Sequence, residues 1–184
     1  MAQPSKTRAR QAVVAAFISI LIIGTAVGLA IAAGNSPSDS PTTVAGQAPA
    51  TVGYVNYETP DKLLAGHSGR PLVINFFASW CAPCRAELPD LADAHAKWGD
   101  QVDFVGVDFQ EASEAAAAQL LYETGITYPI MEDPDGALLR ELGTLPTMPT
   151  TIFVTADSVI VERHHGLILS DQLDERIQEI IAAS

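Results

Sequence analysis

Cysteine and basic residues are scarce in this chain of 184 residues. Its two cysteines are too few for a disulfide-rich secreted mini-protein or for a zinc site built from four thiolates. Only 10 Lys and Arg stand against 22 Asp and Glu, and all of the acidic residues lie beyond position 34. A surface with this excess of negative charge repels phosphate backbones, so we expect no nucleic-acid partner.

Charged residues are also absent from residues 12–33, whereas residues 1–11 hold three basic residues and no acid. As a helix, the uncharged run would be about 33 Å long, close to the ~30 Å apolar core of a bilayer. We therefore predict a cytoplasmic basic segment followed by a transmembrane anchor in the cell membrane. The distribution of positive charge predicts that the rest of the chain is extracytoplasmic. The alternative is a signal peptide, cleaved near Ala30–Ala32, which would make the protein secreted.

The remaining sequence divides into a linker and one domain. Residues 34–52 contain few large apolar side chains and are predicted to be a flexible linker. Residues 53–184 alternate between strand and helix patterns, which predicts an α/β domain with a sheet flanked by helices. The predicted elements are strands 72–77 and 102–107, an extended piece 128–131, a hairpin of 151–154 and 159–163, and helices 81–98, 113–124, 137–142 and one capped by Ser170.

The two cysteines lie in the segment Trp80-Cys81-Ala82-Pro83-Cys84, between a predicted buried strand and a predicted helix. Disulfide exchange needs a thiolate, and the unpaired N–H groups and dipole at a helix N-terminus stabilise one on Cys81. The spacing brings Cys84 within bonding distance, so it can resolve a mixed disulfide. Pro83 fits the first helical turn. The pattern indicates a redox-active pair.

The cysteine pair has three other possible interpretations. A zinc site would need two further ligands at suitable spacing, so we expect no metal. The available histidines are His67, His95, His164 and His165. Covalent haem attachment is excluded because Arg85, and not histidine, follows Cys84. A purely structural disulfide remains an alternative, although so short a loop constrains the unfolded chain little.

A proline also precedes the predicted hairpin, far from the cysteines in sequence. We predict that the Met148–Pro149 peptide bond is cis, since such bonds usually mark a specified tight turn. If Pro149 lies beside Cys81, the Met148 backbone is left unpaired and can bind an extended peptide as an added strand. Taken alone, an ordinary trans proline at the start of a strand is the simpler interpretation.

These segments resemble the thioredoxin superfamily, in particular its membrane-anchored, extracytoplasmic TlpA/ResA/DsbE-like branch. The resemblance is carried by Asn75–Cys84, Met148–Phe153, Pro89 and an insertion before Pro149 that includes Tyr128–Ile130. It implies a central mixed sheet flanked by helices, with the insertion placed before a cis-Pro149. It also implies that the cysteine at 81 is the nucleophile and that its partner at 84 resolves the mixed disulfide. No cofactor is implied besides the redox-active disulfide.

The branch also typically carries an acid near the active site, and Glu87 occupies that position one helical turn after Cys84. The strand before the motif contains Asn75, where thioredoxin has a buried Asp, and asparagine cannot ionise. Our hypothesis is that Glu87 takes or shuttles the proton of Cys84. The alternative is a solvated glutamate on the face of a helix.

The sequence therefore predicts an extracytoplasmic thiol–disulfide oxidoreductase acting on protein thiols and disulfides. We expect substrate to contact Trp80, Ala82 and Pro83 together with Met148 and Pro149. The resemblance favours a reductant, with apocytochrome c among its substrates and a membrane thiol-electron carrier as its electron source. The alternatives are an oxidative folding catalyst and a non-catalytic peptide-binding module. A peroxidase is less consistent with the paired motif.

Overall fold

The computed structural model describes residues 52–184. The predicted basic segment 1–11, the anchor or signal peptide 12–33 and nearly all of the linker 34–52 lie outside the described residues. Within residues 52–184, no helix is both long and apolar enough to cross a membrane.

Five strands form one mixed sheet in the order β3-β2-β1-β4-β5. The strands are Leu72–Phe77 (β1), Asp103–Phe109 (β2), Ile130–Asp133 (β3), Thr150–Val154 (β4) and Ile160–His165 (β5). Strands β1, β2 and β3 run parallel, while β4 and β5 are antiparallel to their neighbours. The helices are Pro60–Gly66 (α1), Ala82–Trp98 (α2), Glu114–Thr124 (α3), Ala137–Glu141 (α4) and Ser170–Ala182 (α5). This is a thioredoxin-like α/β arrangement.

Strand β1 is the centre of the fold because its sequence is apolar on both faces. All six of its residues are buried. Successive side chains point to opposite faces of a strand, so Val73 and Phe77 pack in one core cluster and Ile74 and Phe76 in a second. Asn75 therefore points to the same face as Val73 and Phe77, the face against which helix α2 packs.

Most predicted elements are confirmed. Besides small shifts at the ends of β2, β4 and β5, three details differ. Strand β3 begins at Ile130, two residues later than predicted, because Tyr128 is buried and stacks on Phe104 outside the strand. The prediction that Ser170 caps the last helix is wrong. Leu169 holds the cap position, and its N–H donates to the side chain of Gln172. Helix α1, capped by the Thr59 side chain, was not predicted.

The sheet and the insertion pack closely at Gly106 in β2, and a substitution there tests this packing. A Cβ at this position would come within 2.5 Å of Ile130 Cδ1 and within 3.2 Å of carbons of Phe77 and Tyr128. We expect Gly106→Ala to lower the free energy of unfolding by about 1–3 kcal/mol, as overpacking does in other cores. Urea denaturation followed by circular dichroism measures this. Gly53→Ala is the matched control, because nothing lies within 4 Å of its Cβ; equal losses in both variants would contradict the prediction.

Candidate active site

The two cysteines are joined as a disulfide at the start of helix α2, with their Cα atoms 5.3 Å apart. Cys81 occupies the N-cap position, and its Sγ accepts a hydrogen bond from the Cys84 N–H at 3.2 Å. A sulfur atom therefore takes the place of the side-chain oxygen that usually caps a helix. Cys81 is 5% exposed, whereas Cys84 is fully buried. Of the two sulfur atoms, that of Cys81 is the one an external thiol or disulfide can approach.

The loop that carries Cys81 into this position is held by the segment after β2. The Ser79 N–H donates to the Glu111 carboxylate at 2.7 Å, and the Trp80 indole donates to the Gln110 carbonyl at 3.2 Å. The Trp80 ring remains 55% exposed beside the disulfide. The predicted contact residues Ala82 and Pro83 are also exposed, in the first turn of the helix.

The Met148–Pro149 peptide bond is cis, which confirms the prediction. Thr150, the next residue, pairs with Phe76 near the end of β1, so the proline lies at the edge of the sheet from which the cysteine loop emerges. The Met148 side chain packs against the core cluster that contains both cysteines. Within residues 52–184, the Met148 backbone makes no hydrogen bond to other backbone groups.

Glu87 is not a solvated residue of the helix face but a buried one, 1% exposed. One carboxylate oxygen accepts from the Asn75 amide at 2.8 Å, and the other accepts from the Ile168 N–H at 3.0 Å. The same Asn75 nitrogen donates to the Thr151 hydroxyl at 3.0 Å. This buried cluster links β1, α2, β4 and the loop before α5.

Burial raises the pKa of the Glu87 carboxyl to about 7, and the negative charge of Asp90 adds to the increase. The hydrogen bonds from Ile168 and Asn75 act in the opposite direction, because they stabilise the carboxylate. A group with a pKa near neutrality exchanges its proton readily at physiological pH. Glu87 lies one helical turn from the buried Cys84. A thiol at Cys84 must lose its proton before its sulfur can act as a nucleophile.

The structure thus brings the predicted motif, Glu87 and the Met148–Pro149 turn to one edge of the sheet. Sequence reasoning missed Thr151, Ile168 and the loop contacts of Gln110 and Glu111. The contribution of Ile168 is a backbone N–H, which has no signature in the sequence. A signal for Thr151 existed, since it is one of two threonines in a strand whose other three residues are apolar, and Asn75 is likewise polar in an apolar strand.

Comparison with known proteins agrees with this geometry. The protein is similar to the thiol-disulfide oxidoreductase ResA of Oceanobacillus iheyensis, with 30% identity over 64% of this chain and 60% of the relative's length. It is 29% identical to the thiol:disulfide interchange protein HelX of Rhodobacter capsulatus, over 91% of this chain and 96% of the relative. A crystal structure of a DsbE-type interchange protein from Chlorobium tepidum matches with a TM-score of 0.58 and 26% identity, covering 64% of this chain and 84% of the other.

Fold and site together define a thiol–disulfide oxidoreductase of the thioredoxin-like class. The AhpC/TSA family model matches residues 48–163, more than half of the chain. The chain belongs to this family.

The buried carboxyl of Glu87 has a consequence for stability. In the unfolded chain it ionises near pH 4.5, but in the folded protein only near pH 7. The contribution of the neutral Glu87 carboxyl to stability is therefore fully present below pH 4.5 and is lost as the pH rises towards 7, by about 3 kcal/mol. We expect Glu87→Gln to reduce this fall by that amount, as measured by urea denaturation of the disulfide form at pH 4 to 8. Asp108, whose pKa burial also raises to about 7, accounts for part of the remainder. Exposed Glu175 provides the control Glu175→Gln, and parallel curves for wild type and Glu87→Gln would contradict the prediction.

Proposed function

We propose that this protein exchanges disulfides with protein substrates outside the cytoplasmic membrane, using Cys81 as nucleophile and Cys84 as resolving thiol. The observation that carries the proposal is the position of Cys81: its sulfur caps helix α2 and is the more accessible of the pair. A thiolate at this position is stabilised by the N–H groups and dipole of the helix start. The names of the relatives support the reaction class.

In the reducing direction, the Cys81 thiolate attacks one sulfur of a substrate disulfide. A mixed disulfide forms, and the other substrate sulfur leaves as a thiolate. Glu87 accepts the proton of the Cys84 thiol, and the Cys84 sulfur then attacks Cys81. The substrate leaves with both sulfurs reduced, and the two electrons come from the pair, which ends as the Cys81–Cys84 disulfide. The reverse sequence oxidises a substrate dithiol.

The contacts of the substrate follow from the exposed groups around the disulfide. The Trp80 ring and the first turn of α2, with Ala82 and Pro83, form one wall of the approach to Cys81. The Met148 backbone makes no backbone hydrogen bond within residues 52–184 and precedes the cis-Pro149, which supports pairing with an extended segment of the substrate. This pairing would hold the substrate cysteine against Cys81 while the mixed disulfide lasts.

We propose that the protein acts as a reductant in this exchange and that residues 12–33 hold it at the membrane. The uncharged run and the basic residues before it support the anchor. The resemblance to the membrane-anchored branch supports the reducing direction, with apocytochrome c as a candidate substrate. A membrane thiol-electron carrier would return two electrons to the Cys81–Cys84 disulfide after each cycle.

Trapping of substrates tests the function and its direction together. In Cys84→Ala the mixed disulfide on Cys81 cannot be resolved, so we expect covalent partners to accumulate in cells and to be released by reductant. Mass spectrometry identifies them. Apocytochrome c among the partners supports the reductive role, whereas a broad set of newly exported proteins supports oxidative folding. The control Cys81→Ala/Cys84→Ala traps nothing, and a protein whose cellular function survives this double substitution would be a non-catalytic binding module.

The proton-transfer role of Glu87 is tested by the pH dependence of exchange. In wild type we expect the rate of resolution by Cys84 to rise with pH through about 7, the pKa of the buried carboxyl. In Glu87→Gln this inflection should disappear, and the rate at pH 7.5 should fall by about 10²-fold, a typical contribution of a general base. Single-turnover decay of a mixed disulfide on Cys81 measures the rate. An unchanged profile in the variant would remove the role, and Glu175→Gln should follow wild type.

A further inference from the structure

A second polar site lies beside the cysteine loop, at the ends of the parallel strands. We call it the acidic pocket. It is a cavity of about 150 Å³. Its lining consists of Tyr54, Asp108, Glu111, Glu114, Glu132 and Pro134. Four of these six residues carry carboxyl groups and none is basic, so the lining has no positive charge to balance them.

Asp108 is the innermost acid of the acidic pocket, and it is only 5% exposed. Within the described part of the chain, its Oδ1 is buried and has no hydrogen-bond partner. Burial, followed by the charges of Glu111 and Glu132, raises the pKa of Asp108 to about 7. A buried carboxyl oxygen without a donor is costly, and a cation that enters the pocket can supply the missing partner.

The other walls suit an organic cation better than a metal ion. The Tyr54 ring lines the pocket, positioned by the pairing of its neighbours Gly53 and Val55 with Ile130. An aromatic face attracts ammonium and guanidinium groups. Among residues 52–184, no three acidic, histidine or cysteine side chains converge closely enough to hold a metal ion. A wider depression lined in part by Tyr54 and Glu132 gives a long side chain a path to the pocket.

The acidic pocket is connected directly to the active site. In the sheet, Phe77 is paired with Asp108, so Asp108 lies next to the strand that ends at the cysteine loop. Glu132 is paired with Asp108 from the other side, one strand further from that loop. Glu111 lines the pocket and also accepts the Ser79 N–H at 2.7 Å. Since Ser79 precedes Cys81 by two residues, Cys81 lies at most roughly 10 Å from this carboxylate. Three extended residues span about 10 Å and five span about 17 Å, so a side chain three to five residues from the reacting cysteine can reach the pocket.

We propose that the acidic pocket binds a lysine or arginine side chain of the protein whose disulfide reacts at Cys81, three to five residues from the reacting cysteine. This inference rests on the proposed function, because it makes the pocket a specificity subsite of the same exchange. Complementary charge of this kind favours correct partners and speeds their encounter. No lysine or arginine of the protein lines the pocket, so a basic side chain of the partner has no such residue to displace there.

Two disulfide peptides of matched sequence test the subsite. One carries lysines on both sides, three to five residues from its cysteines, and the other carries glutamines there. With wild type at low salt, we expect kcat/KM for exchange to be about five- to tenfold higher for the lysine peptide. In Glu132→Gln and in Asp108→Asn the ratio should fall to about one to two. In the control Glu175→Gln it should stay at the wild-type value. High salt should lower the wild-type ratio by screening.

A redox-inert measurement separates the subsite from the exchange reaction. The same peptides with serine in place of cysteine are titrated into the disulfide form of the protein, followed by NMR. We expect the lysine peptide to shift the backbone signals of Tyr54, Asp108 and Glu132, and the glutamine peptide to leave them unchanged. Equal responses to the two peptides, or a response to Ca²⁺ that exceeds the response to the lysine peptide, would overturn the inference. Absence of exchange with either peptide would instead count against the proposed function.

Discussion

The hydrogen bond from the Cys84 N–H to the Cys81 sulfur is the contact on which the rest of the site depends. It exists because helix α2 starts at Ala82, directly after the buried strand and its short loop. A helix that began one turn later would leave both sulfur atoms outside the field of its N-terminus, which falls off within the first turn. The same start places Glu87 one turn beyond Cys84 and rotates both inward. One helix boundary therefore sets the surroundings of the Cys81 sulfur, the position of Cys84 and the position of the acid behind them.

The pKa of the buried acid is set by opposing effects, of which burial is the largest. Burial favours the neutral carboxyl, while the N–H groups of Asn75 and Ile168 favour the carboxylate. An aspartate at position 75 would add a second negative charge in the same apolar region and move the balance further towards protonation. Asparagine instead supplies a donor that also reaches Thr151. The neutral residue in β1 thus keeps Glu87 titrating near pH 7 and ties helix α2 to the two central strands.

Structural features that depend on a local sequence pattern could be predicted from the sequence. Features that depend on contacts between distant segments could not. Apolar runs located β1 and most of the sheet, and the cysteine spacing located the start of α2. The burial of Glu87 was left open because it depends on Ile168, 81 residues away. The start of β3 was misplaced because the packing of Tyr128 on Phe104 depends on the tertiary structure. The acidic pocket could not be foreseen at all, since its acids come from strand ends and loops that only the sheet order brings together.

The sheet order also explains why the two sites share one edge. Strands β1, β2 and β3 are parallel, so all three end on the same side, where open α/β sheets generally bind their ligands. At this edge β1 leads into the cysteine loop, β2 carries Asp108 and β3 carries Glu132. The antiparallel β4 begins at the same edge, directly after the Met148–Pro149 turn. In the proposed exchange, a substrate at Cys81 would meet an apolar turn on the β4 side and negative charge on the β2 side. Since Glu87 is buried, the charge that such a partner would encounter is set by the acidic pocket and not by Glu87.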